Sequence, residues 1–538
     1  MKKTTAMMAA SLMIMSLVLG GCGTTSAASA TTAAIETEAE TQVQAETAQA
    51  DAAQDSAAQA DAAQDSNMQT DAAQDSNAQA DTTASSTTAK IPSADEIEIT
   101  ETIENSTDEE HAITADGEEA SYSNVAVVKT GDAEGDEADF YGANAAIYAT
   151  NGGSLTLSEI TVNTDGKHAN GVFSYGEGTT VNISDSVIET TGNCSGGLMT
   201  TGGGTMNASN LLIHTTGNSS AAIRSDRGGG TVNVTGGSYT TEGTGSPVIY
   251  STADITVSDA VMQSTAAQGV VVEGQNSVTL NNVNLTASNV TKNSNKSEWY
   301  QAVMIYQSMS GDADEGLASF AMNGGTLTNL NGDIFFVNNT IATIDLTGAT
   351  IVNEDSEGVF LRAAAAGWGS EGSNGGHVTM NASSQNIGGD MIVDEISSLN
   401  LYLKDSSSFS GAINSDGTSG DVYVEIEDGS TWTLTGDSYI TSLTCNAGSI
   451  NLNGHKLYVN GEEYAEGTAS EGEAIVVETT SSGSHGSHGN HSGNGGNGGG
   501  TPPEKPGSGS EPPAKPGSGS GSAGPAGDGS EPPAKPGE

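Results

Sequence analysis

The sequence predicts an all-β fold, a right-handed parallel β-helix solenoid flanked by a disordered N-terminal tether and a Pro/Gly-rich disordered C-terminal tail. Three observations predict it. One is a ladder of apolar residues, Leu155, Val181, Met206, Val232, Ile255 and Val278, with gaps of 26, 25, 26, 23 and 23 residues. A second is alternation: two positions on stand Leu157, Ile183, Ala208, Val234, Val257 and Leu280, the pattern of a strand with one buried face. The third is a bend four positions past each ladder residue, at Glu159, Asp185, Asn210, Gly236, Asp259 and Asn282, mostly types that tolerate a left-handed backbone.

Beyond the bend the inward pattern resumes at Ile160 and Val162, Leu211 and Ile213, Ala260 and Met262, and Val283 and Leu285. Upstream of each ladder residue a further short strand carries Ile147, Val172, Leu198, Ile223 and Ile249. Three strands per coil of roughly 25 residues describe a parallel β-helix, whose coils hide their apolar faces only by stacking. Right-handed winding follows from the general preference of parallel crossovers. An antiparallel sandwich is the alternative, but sandwich strands do not keep one register over so many coils. The pattern continues at Phe320 and Met322, Ile344 and Leu346, Val378 and Met380, and Leu399 and Leu401. Insertions around 287–300 and 363–376 are expected to form loops on one flank.

Composition agrees. Aromatics make up 4% of the 538 residues while glycines number 71, which excludes several thick cores and suits a narrow coil filled by Val, Ile, Leu and Ala. A formal charge of -53, with guanidinium only at Arg224, Arg227 and Arg362, argues against nucleic acid as a partner. A divalent cation could still bridge the acidic surface to an anionic polymer. Of the three cysteines, Cys194 and Cys445 lie many coils apart, beyond the reach of a bridge, and are read as buried thiols. Cys22 stands elsewhere.

Residues 1–21 open with Lys2 and Lys3 and run apolar to Leu19, Gly20 and Gly21 ahead of Cys22, an export signal too short for a stable span. Residues 22–92 hold a repeated Asp-Ala-Ala-Gln-Asp-Ser unit and almost no large apolar side chain, so nothing offsets ordering entropy. As a flexible tether they span about 45 Å. Residues 93–141 form an acidic N-terminal cap with the first irregular coils, 142–466 the β-helix, and 467–538 a fading cap and then a tail. That tail carries His485, His488 and His491 and repeats Glu-Pro-Pro-Ala-Lys-Pro-Gly, which favours polyproline conformation.

Outward positions of the upstream strand align as Tyr148, Phe173, Met199, Arg224, Tyr250 and Val272. With Arg227 they form the candidate ligand face, open to sugar rings or protein; a loop or the acidic cap lying over it is the competing reading. Trp299, Tyr300 and Trp368 fall beside the insertions, where exposure would mean recognition and burial would mean pinning of a loop. Arg224 and Arg227 around Asp226 form the best local cluster for neutralising a uronate beside a base. No cofactor is assigned. Asp132, Glu134, Asp136 and Asp139 could hold Ca²⁺ without having the spacing of a calcium loop.

Three resemblances add to this. Gly20-Gly21-Cys22 resembles the bacterial lipoprotein processing box, which implies that Cys22 becomes the lipidated first residue and the chain a lipid-anchored protein on the extracellular face of the cell membrane; ordinary cleavage and secretion are the alternative. Asn163-Thr164-Asp165-Gly166 matches a polygalacturonase motif and makes Asp165 a candidate carboxylate, but its partner motifs are missing and Asn, Asp and Gly also make turns. Gly171-Val172-Phe173-Ser174-Tyr175-Gly176, Ala221 to Gly228 and Gln307 to Ala313 resemble phrases of adhesin-like, pectin-lyase-like β-helix surface proteins of Gram-positive bacteria. That likeness implies the fold and the location more than any activity; the leading reading of the chain is a non-catalytic display protein, not an enzyme, whose β-helix face binds a polysaccharide or host surface protein. The alternatives are a lyase or hydrolase acting on polyuronate and a structural wall protein without a specific ligand.

Overall fold

The computed structural model describes residues 90–477, except 293–295, 298 and 418. The export segment, Cys22, nearly all of the tether and the tail from 478 on lie outside these residues. What is described is a parallel β-helix. Three sheets run along it: a first of 10 strands from Glu101–Asn105 to Thr350–Asn353, a second of 11 from Ile113–Asp116 to Met391–Val393, and a third of 13 from Glu119–Ser123 to Ser442–Cys445. Every pairing within them is parallel and joins a strand to the one three strands on, until the second sheet ends at Met391–Val393 and the third passes from Ser398–Lys404 to Asp421–Ile426 with one strand between them.

The ladder is the register of the third sheet. Leu155 pairs with Val181, Val181 with Met206, Met206 with Val232, Val232 with Ile255 and Ile255 with Val278. The upstream row Ile147, Val172, Leu198, Ile223 and Ile249 is likewise in register in the second sheet. All of these side chains are buried in one continuous core. Its larger members close the wide coils, with Phe320, Phe335 and Phe360 meeting edge to face at 5.6 and 5.5 Å, the geometry that ring quadrupoles favour.

The bends stand where the sequence put them. Glu159, Asp185, Asn210, Gly236, Asp259 and Asn282 have φ of 51, 49, 51, 69, 55 and 53°. An L-residue costs little there when its short polar side chain bonds locally, and Asn210 and Asn282 each donate to the aspartate one coil earlier, at 2.7 Å. The turn from the first sheet to the second repeats a different lock. Thr190, Thr215 and Thr241 donate to the carbonyls of Ser195, Ser220 and Ser246, and those serines stack from coil to coil. At Gly217 and Gly243 in this turn a Cβ would lie 1.8 Å from the carbonyl oxygen of the glycine one coil earlier, so no side chain fits.

The solenoid begins at Glu101, within the stretch read as cap and first irregular coils, and a short helix, Asp136–Tyr141, follows its first full coil. Two details depart from the sequence reading. Val378 pairs with Ala342 and Met380 with Ile344, a shift of one pleat that keeps both inward because the side-chain period is two. Val270 pairs with Ile249, so Val271 takes the outward place and Val272 the inward one; three consecutive valines hide the alternation that would have set this. At the far end Leu457–Val459 and Glu462–Glu463 pair antiparallel and close the edge.

Replacing Ile255 with Ala should lower stability by about 2–5 kcal/mol through a core cavity, whereas Thr256→Ala on the outward face should cost under about 0.5 kcal/mol. Denaturant midpoints of the two variants check the assignment of inward and outward faces.

Candidate functional site

The outward row of the second sheet exists in the predicted register, with Tyr148, Phe173, Met199, Arg224 and Tyr250 on successive strands. It is not open. Phe173 and Met199 are 0% exposed, Arg224 5% and Tyr250 7%; Tyr148 is half-buried and stacks on His111 at 4.4 Å. The exposed-row expectation is thereby corrected, because the insertion carrying helix Asp136–Tyr141 lies over these strands. The carbonyl of Phe140 accepts from Thr201, and a Cβ on Gly142 would reach both Phe173 and Tyr148 at 2.9 Å.

Arg227 fastens this cover. Its guanidinium lies 3.7 Å from the centre of the Phe140 ring, and it donates through Nε to Asp312 at 2.7 Å and through an Nη to Asp136 at 3.2 Å. One side chain thus ties the helix, the second sheet and the 307–316 segment together. Arg227 is half-exposed, whereas Asp312 is buried.

Beneath lies a buried polar network. Arg224 donates to Asp226 at 2.7 Å. Tyr306 donates to Glu273 Oε2 at 3.0 Å, and Tyr250 donates to the same oxygen. Burial pushes Asp226 up to about 7, with Arg224 pulling the other way, and burial likewise raises Glu273 against its bonds to Ser308 and the two tyrosines. Raised carboxyls beside an arginine and two phenols are the materials of acid–base chemistry. Here they are shut in: Asp226 and Glu273 are both 0% exposed. Trp368, 1% exposed and edge-on to Tyr306 at 5.2 Å, pins its loop over the network. Trp299 is half-buried under Arg362, whose guanidinium lies 4.6 Å from the ring centre.

The remaining candidates part company. Asp165 is exposed in the turn after Thr161–Thr164. The four carboxylates considered for Ca²⁺ do not converge: Asp132 accepts from the Lys167 amide, Glu134 from the Lys167 ammonium, Asp136 from Arg227, and Asp139 lies 2.9 Å from His168. Asp139, His168 and Cys194 do bring ligand atoms within 4.8 Å of one another. Cys194 is disulfide-bonded, however, so it offers no thiolate, and the buried-thiol reading stands for Cys445 alone. His214 pairs with Glu242 on the surface at 3.0 Å.

What is open is a face the sequence reading did not single out, the outside of the third sheet. From Ser154 to Asn281 its outward positions read Ser154-Thr156-Ser158, Thr180-Asn182-Ser184, Thr205-Asn207-Ser209, Thr231-Asn233-Thr235, Asp254-Thr256-Ser258 and Ser277-Thr279-Asn281, paired rank on rank. None of these residues is buried. Asn207 donates to Asn182 and Asn233 to Asn207, each at 3.0 Å. Asp254 is the one charge among these positions. The signal was present in the alternate positions of the apolar ladder, which are Ser, Thr and Asn at the same period.

No family model, curated protein or solved structure matches this chain.

Because folding raises the Asp226 and Glu273 pKa values, their neutral forms are favoured in the native state. That contribution is complete below the ordinary carboxylate range and is lost as pH rises through the folded values, a window that for Asp226 runs from 3.8 to about 7. Melting temperature measured across pH 4–8 should fall in that window, and Glu273→Gln, which keeps the tyrosine acceptors without the ionisation, should flatten part of the fall.

Proposed function

We propose that this protein is a non-catalytic display module, anchored to the outer face of the cell membrane by lipid on Cys22, that recognises neutral glycan through the outer face of the third sheet. One observation carries the reading: in a chain of net charge -53, a rigid sheet presents hydroxyls and amides with a single carboxylate among its outward positions from Ser154 to Asn281. Such groups donate and accept at once. Sugar hydroxyls need that combination, and the absence of charge spares the desolvation that an ionic face would demand. The pseudo-catalytic set of Arg224, Asp226 and Glu273 speaks against the lyase or hydrolase reading, since a polymer cannot reach carboxyls that solvent does not.

A glycan array probed with the exported chain, with and without Ca²⁺, should show binding to neutral oligosaccharides that is unchanged by chelator and lost on Asn207→Asp. Release of unsaturated uronate from pectin would overturn the non-catalytic reading, and binding to no glycan would leave the structural wall protein.

The anchor has its own test. Mass spectrometry of the N-terminal peptide should find Cys22 diacylglycerylated, and Cys22→Ser should release the protein into the medium.

A further inference from the structure

After Tyr464 the chain turns back onto the outside of the third sheet. Ser470 bridges to Cys445 on the last strand, and Gly472 exchanges bonds with the Thr444 hydroxyl, its amide donating to Oγ1 and its carbonyl accepting from it, each at 3.1 Å. The amide of Glu473 donates to Ser442 Oγ at 3.0 Å. Asn400 then clamps Ile475, its side-chain amide donating to the carbonyl at 3.0 Å and its oxygen accepting from the amide at 2.8 Å. Ser442, Tyr423 and Asn400 form one outward rank on successive strands. A strap bonded at both neighbours of Tyr423 passes over it, and Tyr423 is 3% exposed although it points outward.

The strap covers the aromatic end of the open face. Beyond Asn281 the three outward ranks of the third sheet run on through Asn323, Thr347 and Ser383, and from Ser154 to Ser383 they contain no Phe, Tyr or Trp. The next two strands bring Tyr402 and Tyr423, edge to face at 5.8 Å, with the Lys404 ammonium 4.9 Å from the Tyr402 ring centre. We propose that Tyr402, Tyr423 and Asn400 form a sugar-ring subsite at this end of the neutral face, and that the protein's own strap, residues 470–475, occupies it until glycan displaces it, a step that rests on the glycan reading given above.

Two features make the strap a displaceable occupant. Between residues 472 and 475 its bonds run from its main chain to hydroxyl and amide side chains of the face. Sugar hydroxyls donate and accept in the same way, so displacement exchanges bonds of like kind. The strap also buries little: residues 471–474 are exposed and Val476 is 85% exposed. Apolar burial therefore adds little to hydrogen bonds whose net contribution is modest, because water competes for the same groups. What the strap withholds is what the rest of the face lacks, a ring against which the C–H side of a pyranose packs while its hydroxyls bond to neighbouring side chains. Attachment keeps the strap at high local concentration, and the affinity for free glycan falls by the fraction of molecules in which the subsite is closed.

Gly472 provides the handle. A Cβ there would collide with Ser442 Oγ and lie 2.8 Å from both the amide nitrogen and the carbonyl oxygen of Leu443, so Gly472→Val unseats the strap in the full exported chain. Thr444→Val keeps the side-chain shape, removes both bonds to Gly472 and loosens the strap more gently. Nitration with tetranitromethane, read by peptide mass spectrometry, should find Tyr423 protected in the parent chain and modified several-fold faster in both variants, while Tyr439, exposed already, reacts at the parental rate and reports an intact fold. On an array of neutral oligosaccharides both variants should bind several-fold more tightly than the parent, and bound glycan should restore protection of Tyr423 in Gly472→Val. Nitration of Tyr423 at the parental rate in both variants, or binding that neither variant strengthens, overturns the subsite and leaves the neutral-face reading standing. Binding by none of the three chains refutes the neutral-face reading and the subsite with it.

Discussion

The parallel hydrogen-bond ladder between coils is the interaction on which everything else in this protein depends. No coil can satisfy its own strand amides or bury its own apolar side chains; both needs are met only by the coil before and the coil after. Each stacked position must therefore repeat in type as well as in period. The apolar ranks repeat inward, the Asn, Asp and Gly bends repeat in the left-handed region, and the Thr and Ser locks repeat at the turn into the second sheet. A period that varies between 23 and 26 residues is tolerated because the turns, not the strands, absorb the difference.

That constraint explains why the fold was legible and the site was not. Leu155 to Val278 could be aligned by eye since one inward residue per coil fixes register for the whole strand, and Asp185 or Asn282 could be placed at bends on residue type alone. Where alternation disappears the reading failed, as at Val270 to Val272, where three valines left inward and outward indistinguishable. The exposure of Phe173 and Met199 failed for another reason. Whether an outward side chain is wet depends on what an insertion elsewhere does, and helix Asp136–Tyr141 reaches strands that lie 30 to 90 residues away in sequence. Nothing in the local pattern around Phe173 records that. The competing reading, a cover over the face, was visible only as an acidic stretch without a destination.

The cover also gives the buried ionisable groups their meaning. Arg224 with Asp226, and Glu273 with its two tyrosines, occupy the outward side of the second sheet and lost water when the insertions closed over them. Burial of a charge is costly unless it is paired and bonded, and here pairing is partial: Asp226 is raised despite Arg224. Such a network contributes little net stability, but it penalises any arrangement in which the helix and the 307–316 segment dock differently, since a misplaced Arg227 would strand Asp312. Its consequence is a second sheet devoted to internal architecture.

The third sheet is the complement. From Ser154 to Asn281 its outward positions are open and carry a single charge, Asp254, while the net charge of -53 falls elsewhere in the chain. A flat polar sheet in a solenoid would invite edge-to-edge association if its ends were open. The ends are guarded instead: Glu101 and Glu104 stand on the first strand, and Glu462 and Glu463 on the terminal hairpin. Repulsion at the edges and neutrality on the face are two parts of one distribution: carboxylates at the ends oppose strand pairing with another chain, while the face between them offers hydroxyls and amides.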